Sequence, residues 1–195
     1  MNKTYYYCIA DFCFSVSATL DLDNLLPTFS AFRTECCSEE QLLFVVDLLP
    51  QIPEPLADMA EVDISDNDLG QVRLLRTKDN YYIELKYEDG MTHRMQADKL
   101  FTSIQVQLCL HDRYLGEAFS SLLRIAFSQS ILCHGGISVH ASAVAHLDRA
   151  YLFMGKSGTG KSTHASLWLS CFQDSELLND DNPIIRIQKQ TAYVY

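Results

Sequence analysis

Residues 150–169 read AYLFMGKSGTGKSTHASLWL. The first five, AYLFM, form an apolar run suited to a buried strand. Ala165, Trp168, Leu169 and Phe172 then recur at helical spacing. Between strand and helix lies GKSGTGKST, Gly155 to Thr163, which satisfies G-x-x-x-x-G-K-[ST] in full. Strand, glycine-rich loop and helix is the setting in which this pattern cradles phosphate. Gly155, Gly158 and Gly160 let the backbone turn tightly and aim its N–H groups inward. Lys156, Ser157 and Thr159 complete the cradle. Lys161 reaches outer phosphates as a point charge. The Ser162 hydroxyl can ligate Mg²⁺. The helix through Ser162 and Thr163 adds its positive N-terminal end.

Upstream, ISVHASAVAH (137–146) alternates with period two and predicts a strand. Val139, Ala141, Ala143 and Ala145 share one face. Ser138, His140, Ser142 and His146 share the other. A turn at Leu147-Asp148-Arg149 folds this strand back on AYLFM. With the turn at Asp148 and Arg149, residue 147 pairs with 150, and His140 comes opposite position 157 at the phosphate end. His146 then lies near the turn, roughly 20 Å away at about 3.3 Å per residue, and reads as a surface residue. Downstream, LLNDDNPII (177–185) brings Asp180 and Asp181 to a strand end after the loop's helix. Paired carboxylates there suit Mg²⁺ binding and general-base work.

The rest of the chain lacks such a constellation. Residues 4–18 predict one or two strands, and 41–49 a buried strand ending at Pro50. A polar, helix-compatible stretch separates them. Residues 51–70, acidic and containing Pro53 and Pro55, read as an exposed connection. QVRLLRT (71–77), NYYIELKYE (80–88), MTHRMQA (91–97) and LFTSIQVQLCL (100–110) read as strands. From Tyr114 to Leu132 the apolar residues Leu115, Ala118, Phe119, Leu122, Leu123 and Ala126 form a helical stripe, ended by Gly135-Gly136. His93, His111, His134 and His164 have no motif around them.

The formal net charge of −10, with no basic block, argues against nucleic acid and anionic lipid as partners. No apolar run is long enough to span a bilayer. Seven cysteines at irregular spacing, without a C-x-x-C pair, read as mostly buried free thiols of a cytoplasmic protein.

Taken together, VHASAV, the hairpin return, GKSGTGKST and LLNDDNPII resemble the HPr kinase/phosphorylase family. They are more distantly similar to ATP-dependent phosphoenolpyruvate carboxykinase, whose loop has a like SGTGK core. The resemblance covers about residues 130–188. It implies an α/β fold: a β-rich region over 1–110, then a P-loop kinase core of this type over 111–195. It implies that Lys161 and Ser162 hold phosphates and Mg²⁺. Asp180 is then the carboxylate that takes the proton from an acceptor hydroxyl, His140 the histidine that hydrogen-bonds it, and Asp181 the metal-side aspartate. Kinases of this type continue well past the second aspartate, whereas RIQKQTAYVY (186–195) supplies at most a short hairpin. A fragment, or a chain truncated at its C-terminus, is expected.

Three functions follow from these residues. The first is ATP-dependent phosphoryl transfer to a hydroxyl of a protein or small molecule. The second is a nucleotide-binding accessory module without turnover. The third, phosphoenolpyruvate carboxykinase chemistry, lacks the basic cluster that would bind its dianionic substrate. A homo-oligomer is compatible with all three.

Overall fold

The computed structural model describes residues 2–35, 37–55, 58–67 and 70–195. The chain divides into two compact units, between Ser130 and Ile131.

In the first unit, the alternating apolar residues of 3–18 form β1 (Lys3–Ile9) and β2 (Phe12–Ala18). Their turn places Ala10 and Asp11 at φ 52° and 58°. The polar stretch that follows holds a one-turn helix, α1 (Leu22–Leu25), capped by the Asp21 side chain, and the two-residue strand β3 (Arg33–Thr34). Next come β4 (Leu42–Leu48), β5 (Ala60–Asn67), β6 (Gly70–Arg76), β7 (Asn80–Tyr87), β8 (Thr92–Asp98) and β9 (Ser103–Gln107). They make one nine-stranded sheet in the order β3-β1-β2-β4-β9-β8-β7-β6-β5. Only β2–β4 and β4–β9 pair in parallel.

The helix α2 (Leu115–Ser130) buries Ala118, Phe119, Leu122, Leu123, Ala126 and Phe127, the face that its spacing predicts. Phe127 meets the rings of Phe12 and Phe14, and Phe14 stacks on Phe44 at 4.7 Å. Ahead of α2, His93 is fully buried with Nε2 2.7 Å from Asp112 Oδ2, and its Nδ1 accepts the Cys109 N–H. This pair fastens the approach to α2 onto β8.

In the second unit, β10 (Gly136–Ser138), β14 (Ile184–Gln188) and β15 (Thr191–Val194) form one antiparallel sheet. The strands β11 (Ala141–His146), β12 (Arg149–Met154) and β13 (Ser175–Asn179) form a second, in the order β12-β11-β13. The helix α3 (Lys161–Cys171) connects β12 to β13 and packs on β11.

The structure corrects the expected α/β class and its P-loop kinase core. The described residues are mostly β, 46% strand against 23% helix. The strands of the first unit join largely by turns into one broad sheet, and among the described residues only α2 and α3 exceed two turns. Residues 51–70 are also more than a connection, because 60–67 form the edge strand β5. Pairing on one side only leaves its acidic residues in water, so its sequence reads as a loop. The run at 41–49 alternates, with Phe44 and Val46 buried and Val45 and Asp47 exposed, instead of being buried throughout.

The strand expected over 137–146 is split at Val139 and His140. The ladder across the gap is carried by Val139 N→Pro183 O and Ala141 N→Asp181 O. Pro183 accepts but has no N–H to give back, which interrupts regular pairing there. The hairpin turns at Leu147 and Asp148, both at positive φ, so His146 pairs with Arg149 rather than Tyr151. This two-residue shift keeps every side chain on its expected face. The cysteines Cys8, Cys13, Cys37 and Cys109 are half-buried, and Cys133 and Cys171 are exposed, rather than mostly buried. Cys8, Cys13, Cys109, Cys133 and Cys171 are free thiols, and Cys36 lies outside the described residues. No helix among the described residues is long and apolar enough to cross a membrane.

Candidate functional site

Because β11 lies antiparallel between β12 and β13, those two strands run the same way. Their C-terminal ends, Met154 and Asn179, and the start of β11 therefore lie at one end of the sheet. The glycine-rich loop leaves from the first end, the Asp180-Asp181 pair from the second, and His140 precedes the third.

The loop itself is set by its glycines. Gly158 and Gly160 have φ of 78° and 89°, in the left-handed region that favours residues without a Cβ. A Cβ on Gly155 would come 2.7 Å from Thr159 Oγ1, which donates to Lys156 O. Gly160 is the N-cap of α3 and supplies no side-chain hydrogen bond. The first helical backbone bond runs from His164 N to Gly160 O. The N–H groups of Lys161, Ser162 and Thr163 precede it at the helix start, where an anion is favoured.

Beneath α3 the sheet presents Ser142, Val144 and His146 from β11, with Tyr151 and Phe153 from β12. Trp168 contacts Tyr151, Phe153, His146 and Phe172, and His164 lies edge-on to Phe153. His146, expected at the surface, is half-buried: it packs on Phe172, and its Nδ1 lies 3.2 Å from Ser175 Oγ. Of the expected helical stripe, Ala165 is buried while Leu169 and Phe172 stay over a third exposed.

At the loop end of the sheet, Lys161 Nζ lies 2.8 Å from His140 Nε2, 3.1 Å from Gly155 O and 3.3 Å from Lys156 O. His140 Nδ1 lies 3.3 Å from Asp181 Oδ1. Asp180 has a different partner: the fully buried Ser142 donates to its Oδ1 at 2.5 Å. The expected His140–Asp180 pairing is thus replaced by His140–Asp181 and Ser142–Asp180. The cause is local. Ser142 faces Asp180 across the ladder, in the register of Ala143 with Asn179. Asn179 Oδ1 then accepts the N–H groups of both Asp181 and Asn182, an Asx turn that bends the chain after β13. Asn182 Nδ2 donates to Asp181 Oδ2.

Ser142 and Asn179 are the two residues that motif reading passes over. A buried serine opposite an acidic turn, and an asparagine heading N-D-D-N-P, are the signals that point to them.

The open loop, its positive-φ glycines and the uncapped helix start fit a phosphate chain. Among the described residues no group of three His, Cys, Asp or Glu side chains could hold a metal by itself. Mg²⁺ held by one or two protein oxygens together with phosphates needs no such group, and Ser162 and Asp181 supply the right oxygen chemistry. Compared with protein-family models, with curated proteins and with solved structures, the chain finds no match.

Proposed function

We propose that the unit from Ile131 onward binds a nucleoside triphosphate, ATP in the first instance, with Mg²⁺. We infer further that it transfers phosphate to a hydroxyl of a protein or small molecule, as the HPr kinase-like phosphotransferases that its motifs resemble do. The observation that carries this reading is the convergence of Lys161, His140, Asp180 and Asp181 at one sheet end. Residues 155–163 hold the phosphates through backbone N–H groups and Lys161. Ser162 and Asp181 hold Mg²⁺, which supplies charge neutralisation across the phosphates. Asp180 accepts the acceptor's proton at Oδ2, while Ser142 fixes Oδ1. This chemistry belongs in the cytoplasm, where ATP is plentiful.

A second reading is nucleotide binding without turnover. It is favoured by the engagement of Asp180 Oδ1 with a buried hydroxyl, which leaves one oxygen for catalysis. Calorimetric titration with ATP and Mg²⁺ tests the shared step. Binding by the wild type that Lys161→Ala removes supports both readings, and a folded wild type that binds nothing sinks both. Product formed in molar excess over protein, with a panel of hydroxyl acceptors, excludes the second reading.

A further inference from the structure

The Lys161 ammonium has three N–H donors and three neighbours in reach: Gly155 O, Lys156 O and His140 Nε2. An ammonium only donates, so Nε2 is an acceptor and carries no hydrogen. The ring hydrogen is then on Nδ1, facing Asp181 Oδ1 at 3.3 Å. The ring thus accepts from Lys161 at Nε2 and faces the Asp181 carboxylate with Nδ1. The shortest of these three lysine contacts, at 2.8 Å, is to the imidazole.

We propose that His140 is a positioning residue that holds Lys161 while the loop is empty and surrenders it when phosphate arrives. This rests on the phosphate-site reading above. A phosphate oxygen is a stronger acceptor for an ammonium than a neutral imidazole, because the hydrogen bond is ionic at both ends. The exchange leaves Nε2 without its donor while Nδ1 still faces Asp181. Occupancy of the loop is thereby relayed to the carboxylate turn through one ring. The two backbone carbonyls cannot do this, because they belong to the loop itself. His140 also acts as a competitor, so its acceptor atom lowers nucleotide affinity.

Two variants separate the two ring nitrogens. His140→Asn keeps an amide N–H near the Nδ1 position and has no acceptor long enough to reach Lys161. His140→Gln puts an amide oxygen near the Nε2 position. The His140 and Asp181 side chains are more than half exposed, so both variants should fold, and thermal melts check this. ¹⁵N NMR of the histidine rings, with His140 assigned by its absence in the variants, reads the tautomer. Without nucleotide, the Nδ1–H tautomer is expected at His140, and ATP with Mg²⁺ should shift its Nε2 resonance. His140→Asn should bind ATP up to about tenfold more tightly, the scale of one hydrogen bond to a charged group. His140→Gln should stay near the wild type. An Nε2–H tautomer in the empty protein, or His140→Asn binding no tighter than the wild type, overturns the inference. If the wild type binds ATP in a Lys161-dependent way and either result appears, the phosphate site stands and only the role of His140 falls. If the folded wild type binds no ATP, both fall together.

Discussion

Ser142 Oγ lies 2.5 Å from Asp180 Oδ1, joining a fully buried hydroxyl on β11 to an exposed carboxylate beyond β13. The contact crosses the ladder beside the glycine-rich loop and holds the carboxylate on the side facing α3. Ser142→Ala should cost about 1 kcal/mol of stability, the usual worth of such a bond. It should lower turnover while leaving the affinity for ATP within about twofold, since the Ser142 hydroxyl bonds to Asp180 and not to a loop phosphate donor. Denaturant melts and a comparison of Kd with kcat check this, and an equal loss in both constants counts against a role confined to Asp180.

Lys161→Ala removes an ammonium whose partners are His140 and two loop carbonyls. ATP affinity should fall by at least about tenfold. The melting temperature should hardly move, because the loop is exposed. Calorimetry and circular dichroism measure the two effects.

Trp168 is the only tryptophan in the chain, and it is central to the ring cluster beneath α3. Trp168→Ala should destabilise the second unit by roughly 3 kcal/mol, at the low end of large aromatic truncations because the site is only half-buried. In the wild type its fluorescence reports the packing of α3. Its emission should therefore change when ATP occupies the start of that helix.

Leu147 has φ 49° in the β11–β12 turn and is 71% exposed. A branched side chain in the left-handed region costs roughly 1–2 kcal/mol, and here almost no burial offsets it. Leu147→Asn should stabilise the second unit by about 0.5–1 kcal/mol, since asparagine suits this two-residue turn. A denaturant midpoint that falls would show that Leu147 packs in a way its exposure does not reveal.

The phenols of Tyr7, Tyr82 and Tyr87 are each pushed up to about 12, first of all by burial. The Oη atoms of Tyr82 and Tyr87 are buried with no hydrogen-bond partner. The folded state therefore holds these protons more tightly than the unfolded chain, whose tyrosines titrate near 10. Their contribution to stability is complete below about pH 10 and is lost as pH rises toward 12. Absorbance titration should show three of the ten tyrosines ionising late or only with unfolding. Tyr82→Phe and Tyr87→Phe should be neutral or stabilising, as each removes an unpaired buried hydroxyl.

The elements most legible in the sequence were those with a strong period or fixed backbone demands. Of the stripe from Leu115 to Ala126, every residue but the half-buried Leu115 is buried on α2, and Gly158 and Gly160 take the left-handed angles that a tight loop requires. β5 was illegible because an edge strand exposed on both faces need not carry apolar residues. Fold class was misread from a local motif: one strand–loop–helix passage spans some twenty residues, while the nine-stranded sheet depends on pairings from end to end of the first unit. His146 was misjudged because its distance from the loop says nothing about the aromatic surface of α3 above it.

By itself, the sequence determined the loop from Gly155 to Thr163, the helix after it and the faces of the strand that ends at His146. These follow from glycine's freedom at positive φ and from periodicity, which act within a few residues. Only the tertiary structure decided that His140 meets Lys161 and Asp181, and that Ser142 meets Asp180. Those contacts depend on the register between β11 and β13 and on the Asx turn at Asn179. Ladder register is a property of two strands paired over a long stretch of chain, and a bend of one residue redirects the side chain that follows.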